Sequence, residues 1–170
     1  MKKLVLPALL ALTLAACSST GPEATDTSAQ SAGAGVATVT AGSASGSGIA
    51  ALTDPNNILS KRSVFFDFDS YVIKQEARPL VEAHARFLVQ NPQMRMLIQG
   101  NTDERGSREY NLALGQKRAD VVKQALMLLG AKEAQIESVS LGEEKPRCED
   151  RTEACYGENR RGDMLYSGEF

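Results

Sequence analysis

The stretch from Ser18 to Gly48 decides where in this chain folding can occur. It is dominated by Ser, Thr, Gly and Ala, holds no aromatic residue, and has Val36 and Val39 as its only larger aliphatics. Burial of so little apolar surface cannot offset the roughly 1–2 kcal/mol per residue lost when a backbone is ordered. Residues 17–51 therefore read as a tether, with a root-mean-square span of roughly 30 Å and a stretched limit of about 120 Å. The fold is confined to residues 52–170, an ordinary length for one domain with a single core. No internal repeat is visible in it.

Residues 1–16 have the form of a secretory signal. Lys2 and Lys3 precede an apolar run from Leu4 to Leu14, and small residues follow. The run is shorter than the about 20 apolar residues needed to span a bilayer. Leu14-Ala15-Ala16-Cys17 has the pattern of a bacterial lipobox, in which the cysteine is acylated and becomes the new N-terminus. Cys17 is thus the expected lipidation site, and membrane lipid one expected partner. Ser18, in place of the aspartate that holds such proteins in the inner membrane, points to the outer membrane. No other segment resembles a transmembrane helix, so the mature chain is expected to be anchored rather than spanning. Of 19 basic residues two lie in the signal, leaving 17 against 21 acidic, a formal charge of −4. That balance argues against nucleic acid as a partner.

Within the domain, Val64 to Phe68 is aromatic and β-branched enough for a buried strand, ended by Asp69-Ser70. From Lys74 to Gln90, apolar residues recur at helical spacing until Asn91-Pro92. Arg95 to Gln99 alternates as a half-buried strand does, Met94, Met96 and Ile98 facing one way. Ser107 to Leu129 reads as a helix with Leu114, Val121, Val122, Ala125, Leu128 and Leu129 on one stripe and Gly130 as its C-terminal stop. A third strand over 136–141, a short helix over 153–159 and a closing strand over 163–166 complete the pattern. This order predicts an α/β (α+β) sandwich of βαβαβ type, with a mixed sheet and helices on one face. The helical crossover favours parallel first and second strands.

One constellation carries chemistry. Asp103 sits in the loop Gly100-Asn101-Thr102-Asp103-Glu104-Arg105-Gly106, and Arg118 lies fifteen residues on, inside the following helix. A loop carboxylate and a helical guanidinium can converge on a ligand bearing both charges, such as a zwitterionic amino-acid head group. Arginine takes a carboxylate through two parallel hydrogen bonds, which lysine cannot do, and the aspartate answers the ammonium. A plain Asp103–Arg118 salt bridge would explain the spacing equally well. Asp67 and Asp69 flank Phe68, which on a strand sends both carboxylates to one side. Asp69 then either faces the ligand or makes local turn bonds. Arg105 is either a ligand contact or a solvated loop charge.

The blocks Val64-Phe65-Phe66-Asp67-Phe68-Asp69, Gly100 to Gly106, Tyr110 to Gly115, Arg118-Ala119 and Glu158-Asn159-Arg160-Arg161, five in order, resemble the OmpA-like peptidoglycan-binding domain family. The resemblance runs from about residue 60 to 166. It implies a non-catalytic domain that holds the diaminopimelate of uncrosslinked peptidoglycan stems. The peptidoglycan-binding residues it implies are Asp103 and Arg118, with Asp69 and Arg105 matching further family positions. Lipidated relatives belong to the Tol-Pal envelope system and bind a periplasmic propeller protein, TolB, so the implied protein partners are a TolB-like propeller and other Tol or Omp proteins. The chain departs from the family at Gly162, where an irregular start to the last strand is expected, and at Cys148 and Cys155, in a loop where many relatives have no cysteine. Alanine at Asp103 or Arg118 is expected to spare folding and remove wall binding.

With Cys17 assigned to lipid, Cys148 and Cys155 form an even pair in an oxidising compartment, and a disulfide is expected. His84, the only histidine, lies on an apolar helical stripe and reads as packed and hydrogen-bonded. One histidine, no zinc-like cysteine spacing and no nucleophile elbow leave an enzyme, a metal or another cofactor without the residues it needs. Arg160 and Arg161 read as a partner patch or as two solvated charges ending a helix, while the resemblance implies a family role in structure or at the ligand pocket's rim and neither is taken as a direct contact. The alternative function is a periplasmic protein-interaction module whose main ligand is an envelope protein.

Overall fold

In the computed structural model the described residues are 47–170. The expected signal, Cys17 and most of the expected tether lie outside them. Helix α1, Ser47–Thr53, falls across the expected start of the domain, and its Leu52 is buried in the core. The remaining elements are β1 (Ser63–Phe65), α2 (Arg78–Gln90), β2 (Met96–Asn101), α3 (Arg108–Leu128), β3 (Ile136–Gly142), α4 (Glu153–Asn159) and β4 (Arg161–Tyr166). Among the described residues no helix is long and apolar enough to cross a membrane.

The four strands form one mixed sheet in the order β1-β4-β2-β3. β2 and β3 are parallel, and β4 runs antiparallel to both β1 and β2. β1 therefore shares the direction of β2, as the crossover predicts, but the last strand is inserted between them. Side chains at alternate positions stack in rows across the sheet: Met96 beside Tyr166 and Ile136, Ile98 beside Met164, and Gly100 beside Gly162, which in turn faces Val64. These rows pack against Val81, Ala85 and Leu88 of α2 and Ala119, Val122 and Leu126 of α3 to make the core.

The Gly100–Gly162 row sets how closely α3 can approach. A methyl group on Gly100 would lie 1.8 Å from the Gly115 carbonyl oxygen, and one on Gly115 would lie 2.3 Å from Ser140 Oγ. Glycine is required on both sides of this contact: the Gly115 backbone fills the space at Gly100, and Ser140 Oγ together with the Gly100 carbonyl fills it at Gly115. The helix begins where Ser107 Oγ accepts from the Tyr110 N–H at 3.2 Å, a side-chain N-cap. It ends with Gly130 at φ +102° and the Ala131 N–H donating to the Leu126 carbonyl, as in a Schellman turn.

Three expectations require correction. β1 stops at Phe65 instead of reaching Phe68, because the Phe66 N–H makes a last bond to the Arg160 carbonyl and the chain then turns. Asp69 takes a left-handed φ of 52° in that turn, so strand alternation does not govern Asp67 and Asp69. Asp67 instead pairs with Lys74 at 2.5 Å. The α3 stripe is centred on Leu114, Val122 and Leu126, whereas Leu128 is 88% exposed. Positions 128 and 129 have rotated past the edge of the sheet by the helix end. β4 begins at Arg161, and Gly162 pairs regularly with both Val64 and Gly100. A methyl group there would stand at ordinary contact distance, 3.6 Å from Phe66 and 3.7 Å from Val122.

His84 is wholly buried. Its Nε2 lies 2.8 Å from the Lys61 carbonyl and must donate there, so Nδ1 accepts from the Tyr166 hydroxyl at 2.8 Å. Burial, assisted by the Arg62 charge and opposed by the backbone bond, lowers its pKa to about 4. Because the folded value lies below the unfolded one, the unfolded chain takes up the proton first as pH falls. Two predictions arise from the packing. Gly115→Ala should lower unfolding free energy by about 3 kcal/mol, read from urea denaturation. Stability of the wild-type chain should fall by roughly 3 kcal/mol between pH 6.5 and 4 on account of His84. In His84→Gln, less stable at pH 7, the same denaturation series should show a flatter decline.

Candidate functional site

The loop after β2 and the first turns of α3 meet the turn after β1 at one end of the sheet. Between them lies a cleft of about 190 Å³ lined by Phe68, Asp69, Asp103, Arg105, Tyr110 and Arg118, among others. All four residues expected to bind ligand are thus brought together, although they come from three separate segments.

Arg118 is fully buried. Its guanidinium donates to three backbone carbonyls: Ser70 from Nε at 2.8 Å, Asn101 from Nη1 at 2.9 Å and Asp67 from Nη2 at 3.1 Å. It thereby clamps the turn after β1 to the end of β2. Of its five N–H groups these bonds use three, leaving two for another acceptor. Burial lowers its pKa to about 10, against the opposing pull of Asp103, so it stays charged at neutral pH. It makes no direct ion pair with Asp103; a simple salt bridge is not the reason for the fifteen-residue spacing.

Asp103 is held instead by two other arginines. Its Oδ1 accepts from the Arg105 backbone N–H at 3.1 Å and from Arg105 Nε at 3.2 Å. Its Oδ2 accepts from Arg105 Nη2 at 2.7 Å and Arg160 Nη1 at 3.1 Å. Burial opposes ionisation of this carboxyl, but the hydrogen bonds from Arg105 and Arg160 outweigh it and hold the pKa below the usual carboxylate range. Asp103 is consequently an anion under all neutral conditions.

Arg105 is neither a solvated charge nor free to meet a ligand as it stands. Its guanidinium lies between two rings, 4.1 Å from the Phe68 centroid and 4.4 Å from that of Tyr156, and reaches Glu153 at 3.2 Å. Asp69, exposed on the cleft rim, accepts from the Tyr110 hydroxyl. Asn111, at 1% exposure, donates to Glu143 and joins α3 to the loop after β3. Thr102 carries a buried hydroxyl with no hydrogen-bond partner among the described residues, and it too lines the cleft.

Arg160, for which the resemblance implied a role in structure or at the pocket's rim, is the second arginine on Asp103. It is buried, and besides Asp103 it bonds the Phe66 carbonyl at 3.2 Å and Glu153 at 2.7 Å. Arg161 turns the other way to Asp163 at 2.8 Å. Two adjacent arginines at the start of a strand point to opposite sides, which was the available signal that one of them enters the molecule. Cys148 and Cys155 are joined, with Cα atoms 5.3 Å apart. The bridge ties α4, which carries Glu153 and Tyr156, to the preceding loop. Closing so short a loop contributes about 2 to 3 kcal/mol in the chain-entropy account.

A family model described as the OmpA family matches residues 65–160, more than half of the chain and every residue of the cleft named above. The chain belongs to the OmpA family. Its OmpA domain is similar to that of proteins named peptidoglycan-associated lipoprotein. The one from Pasteurella multocida is 47% identical over 104 residues, 61% of this chain and 69% of the relative. The one from Pseudomonas aeruginosa is 36% identical over 158 residues, 92% of this chain and 94% of the relative. The crystal structure of the peptidoglycan-associated lipoprotein from Burkholderia pseudomallei is 56% identical, with a TM-score of 0.68, and covers 69% of this chain and 99% of that one. The OmpA fold, with its mixed sheet and flanking helices, is therefore the fold expected from the sequence.

The burial of Arg118 overturns the expectation that alanine there would spare folding. Arg118→Ala removes at once the donors of three carbonyls, one buried and two part-buried, and opens a cavity in the core; a buried acceptor left without a donor alone costs about 1–3 kcal/mol. Urea denaturation should show a loss of about 3 kcal/mol or more for Arg118→Ala.

Proposed function

We propose that this chain is a lipoprotein that binds peptidoglycan non-covalently through the diaminopimelate of its stem peptides, so tethering the outer membrane to the cell wall as part of the Tol-Pal system. The observation that carries this reading is the convergence on one cleft of Arg118, with two N–H groups to spare, and Asp103, an anion at neutral pH. A diaminopimelate head group presents one carboxylate and one ammonium on a single carbon. Arg118 takes the carboxylate in a bidentate bond. Asp103 and Asp69 supply the counter-charge for the ammonium, and the Thr102 hydroxyl offers one further polar contact. The names of the relatives support the ligand class.

The lipobox at Cys17 supports acylation, and Ser18 beside it supports the outer membrane as the place of anchoring. The Ser/Gly/Ala/Thr-rich segment supports a tether that keeps the domain near the wall. Anchoring raises the effective concentration of each weak contact, so many copies hold the wall without covalent chemistry. The TolB-like propeller protein is the proposed protein partner.

The test is a calorimetric titration of the full chain in detergent micelles with a diaminopimelate-containing stem tripeptide, its amidated form, and the lysine-containing analogue. Saturable binding of the free zwitterion alone is the expected result. Binding of all three alike, or of none, would move the function to a protein-interaction module.

A further inference from the structure

Asp103 as it stands has no room for a ligand. Each of its oxygens already accepts two hydrogen bonds, which is the capacity of an ionised carboxylate. An ammonium entering the cleft must displace one of the groups that hold it. The candidates are unequal. The Arg160 side chain is 9% exposed and also bonds the Phe66 carbonyl and Glu153. The Arg105 side chain is 34% exposed and lies at the mouth of the same cleft.

We propose that Arg105 is a built-in stand-in for the ligand's ammonium, and that binding is an exchange of one cation for another on Asp103. The proposal rests on the diaminopimelate reading of the cleft. Withdrawal of the Arg105 side chain frees one acceptor position on each oxygen of Asp103, those now filled by Nε and Nη2. An ammonium, with three donors, can fill both. Arg160 stays in place and keeps the carboxylate ionised and oriented.

The displaced guanidinium has somewhere to go. Arg105 Nη1 is already 3.2 Å from Glu153, whose side chain is 66% exposed. Tyr156, whose hydroxyl donates to Glu104 at 3.1 Å, offers a ring along the same path. Arg105 can therefore leave Asp103 without becoming an unpaired buried charge. Two consequences distinguish a stand-in from a ligand contact. The resident cation keeps the buried carboxylate neutralised when the cleft is empty. It also competes with the ligand, so only a group that brings its own cation can replace it at little cost. A ligand with a carboxylate and no ammonium would leave Asp103 either occupied by Arg105 or bare.

The experiment is calorimetric titration of the full chain with the diaminopimelate stem tripeptide, comparing wild type, Arg105→Gln and Asp103→Asn, with near-ultraviolet circular dichroism to confirm native packing. Arg105→Gln should bind roughly fivefold to tenfold more tightly, since the fraction of molecules with a free Asp103 rises. Asp103→Asn should lose binding. The Arg105 Nε–H resonance of the wild-type chain should shift as the tripeptide is added. Weaker or unchanged binding by Arg105→Gln, with wild type binding normally, would overturn the exchange and leave the diaminopimelate reading intact. Absence of binding by wild type would overturn that reading itself.

Discussion

The approach of α3 to the sheet is the constraint from which the site is built. Where Gly115 crosses Gly100, backbone lies against backbone, with no space for even a methyl group between them. That contact sets the depth of the helix. Three residues further along, Arg118 enters at the level of the strand ends, where the carbonyls of Asn101, Asp67 and Ser70 converge. A helix standing off by the thickness of a side chain would leave the guanidinium short of all three. The turn after β1, which carries Asp69, would then have nothing to hold it against the loop that carries Asp103.

Charge is managed here by redundancy. Three arginines and one buried aspartate occupy the same end of the domain, with the exposed carboxylates of Asp69 and Glu153 at its rim. A buried guanidinium costs free energy unless its donors are met. Arg118 meets its own with backbone oxygens, and Arg160 with one carbonyl and two carboxylates. Neutral oxygens around Arg118 keep its positive charge largely uncompensated, which is the condition for attracting an anion. The carboxylate of Asp103 is compensated by side chains of unequal exposure, Arg105 at the cleft mouth and Arg160 buried behind it. The disulfide between Cys148 and Cys155 belongs to the same arrangement, since it steadies the short helix that presents Glu153 and Tyr156 to Arg105.

Much of the fold could be read from periodicity. The helix ending at Gln90 and the strand around Ile98 followed from spacing and punctuation, because their inner faces are apolar, although the helix begins at Arg78, with Pro79 in its first turn, and not at the expected Lys74. The reading failed where side-chain type stopped tracking burial. Phe68 has the chemistry of a strand residue yet is 57% exposed, since it serves as a platform for Arg105. Leu128 belongs to an apolar stripe that outruns the sheet beneath it. Arg118 and Arg160 sit at core positions, where no hydrophobic pattern would place them.

The sequence by itself determined where the low-complexity stretch lies, the succession of strands and helices, and which charged residues stand at the spacing that the folded chain gathers into one cleft. Composition and local spacing are enough for these, because each depends on neighbours within a few turns. Tertiary structure alone decided the partners. β4 was inserted between β1 and β2, and this brought Arg160 beside Asp103, which lies 57 residues earlier. It also turned the anticipated Asp103–Arg118 pair into two separately satisfied charges on one cleft. Hydrogen-bond partners of a buried charge are chosen by which backbone oxygens the folded chain delivers to it, and that is a property of strand order and helix depth, not of any local run of residues.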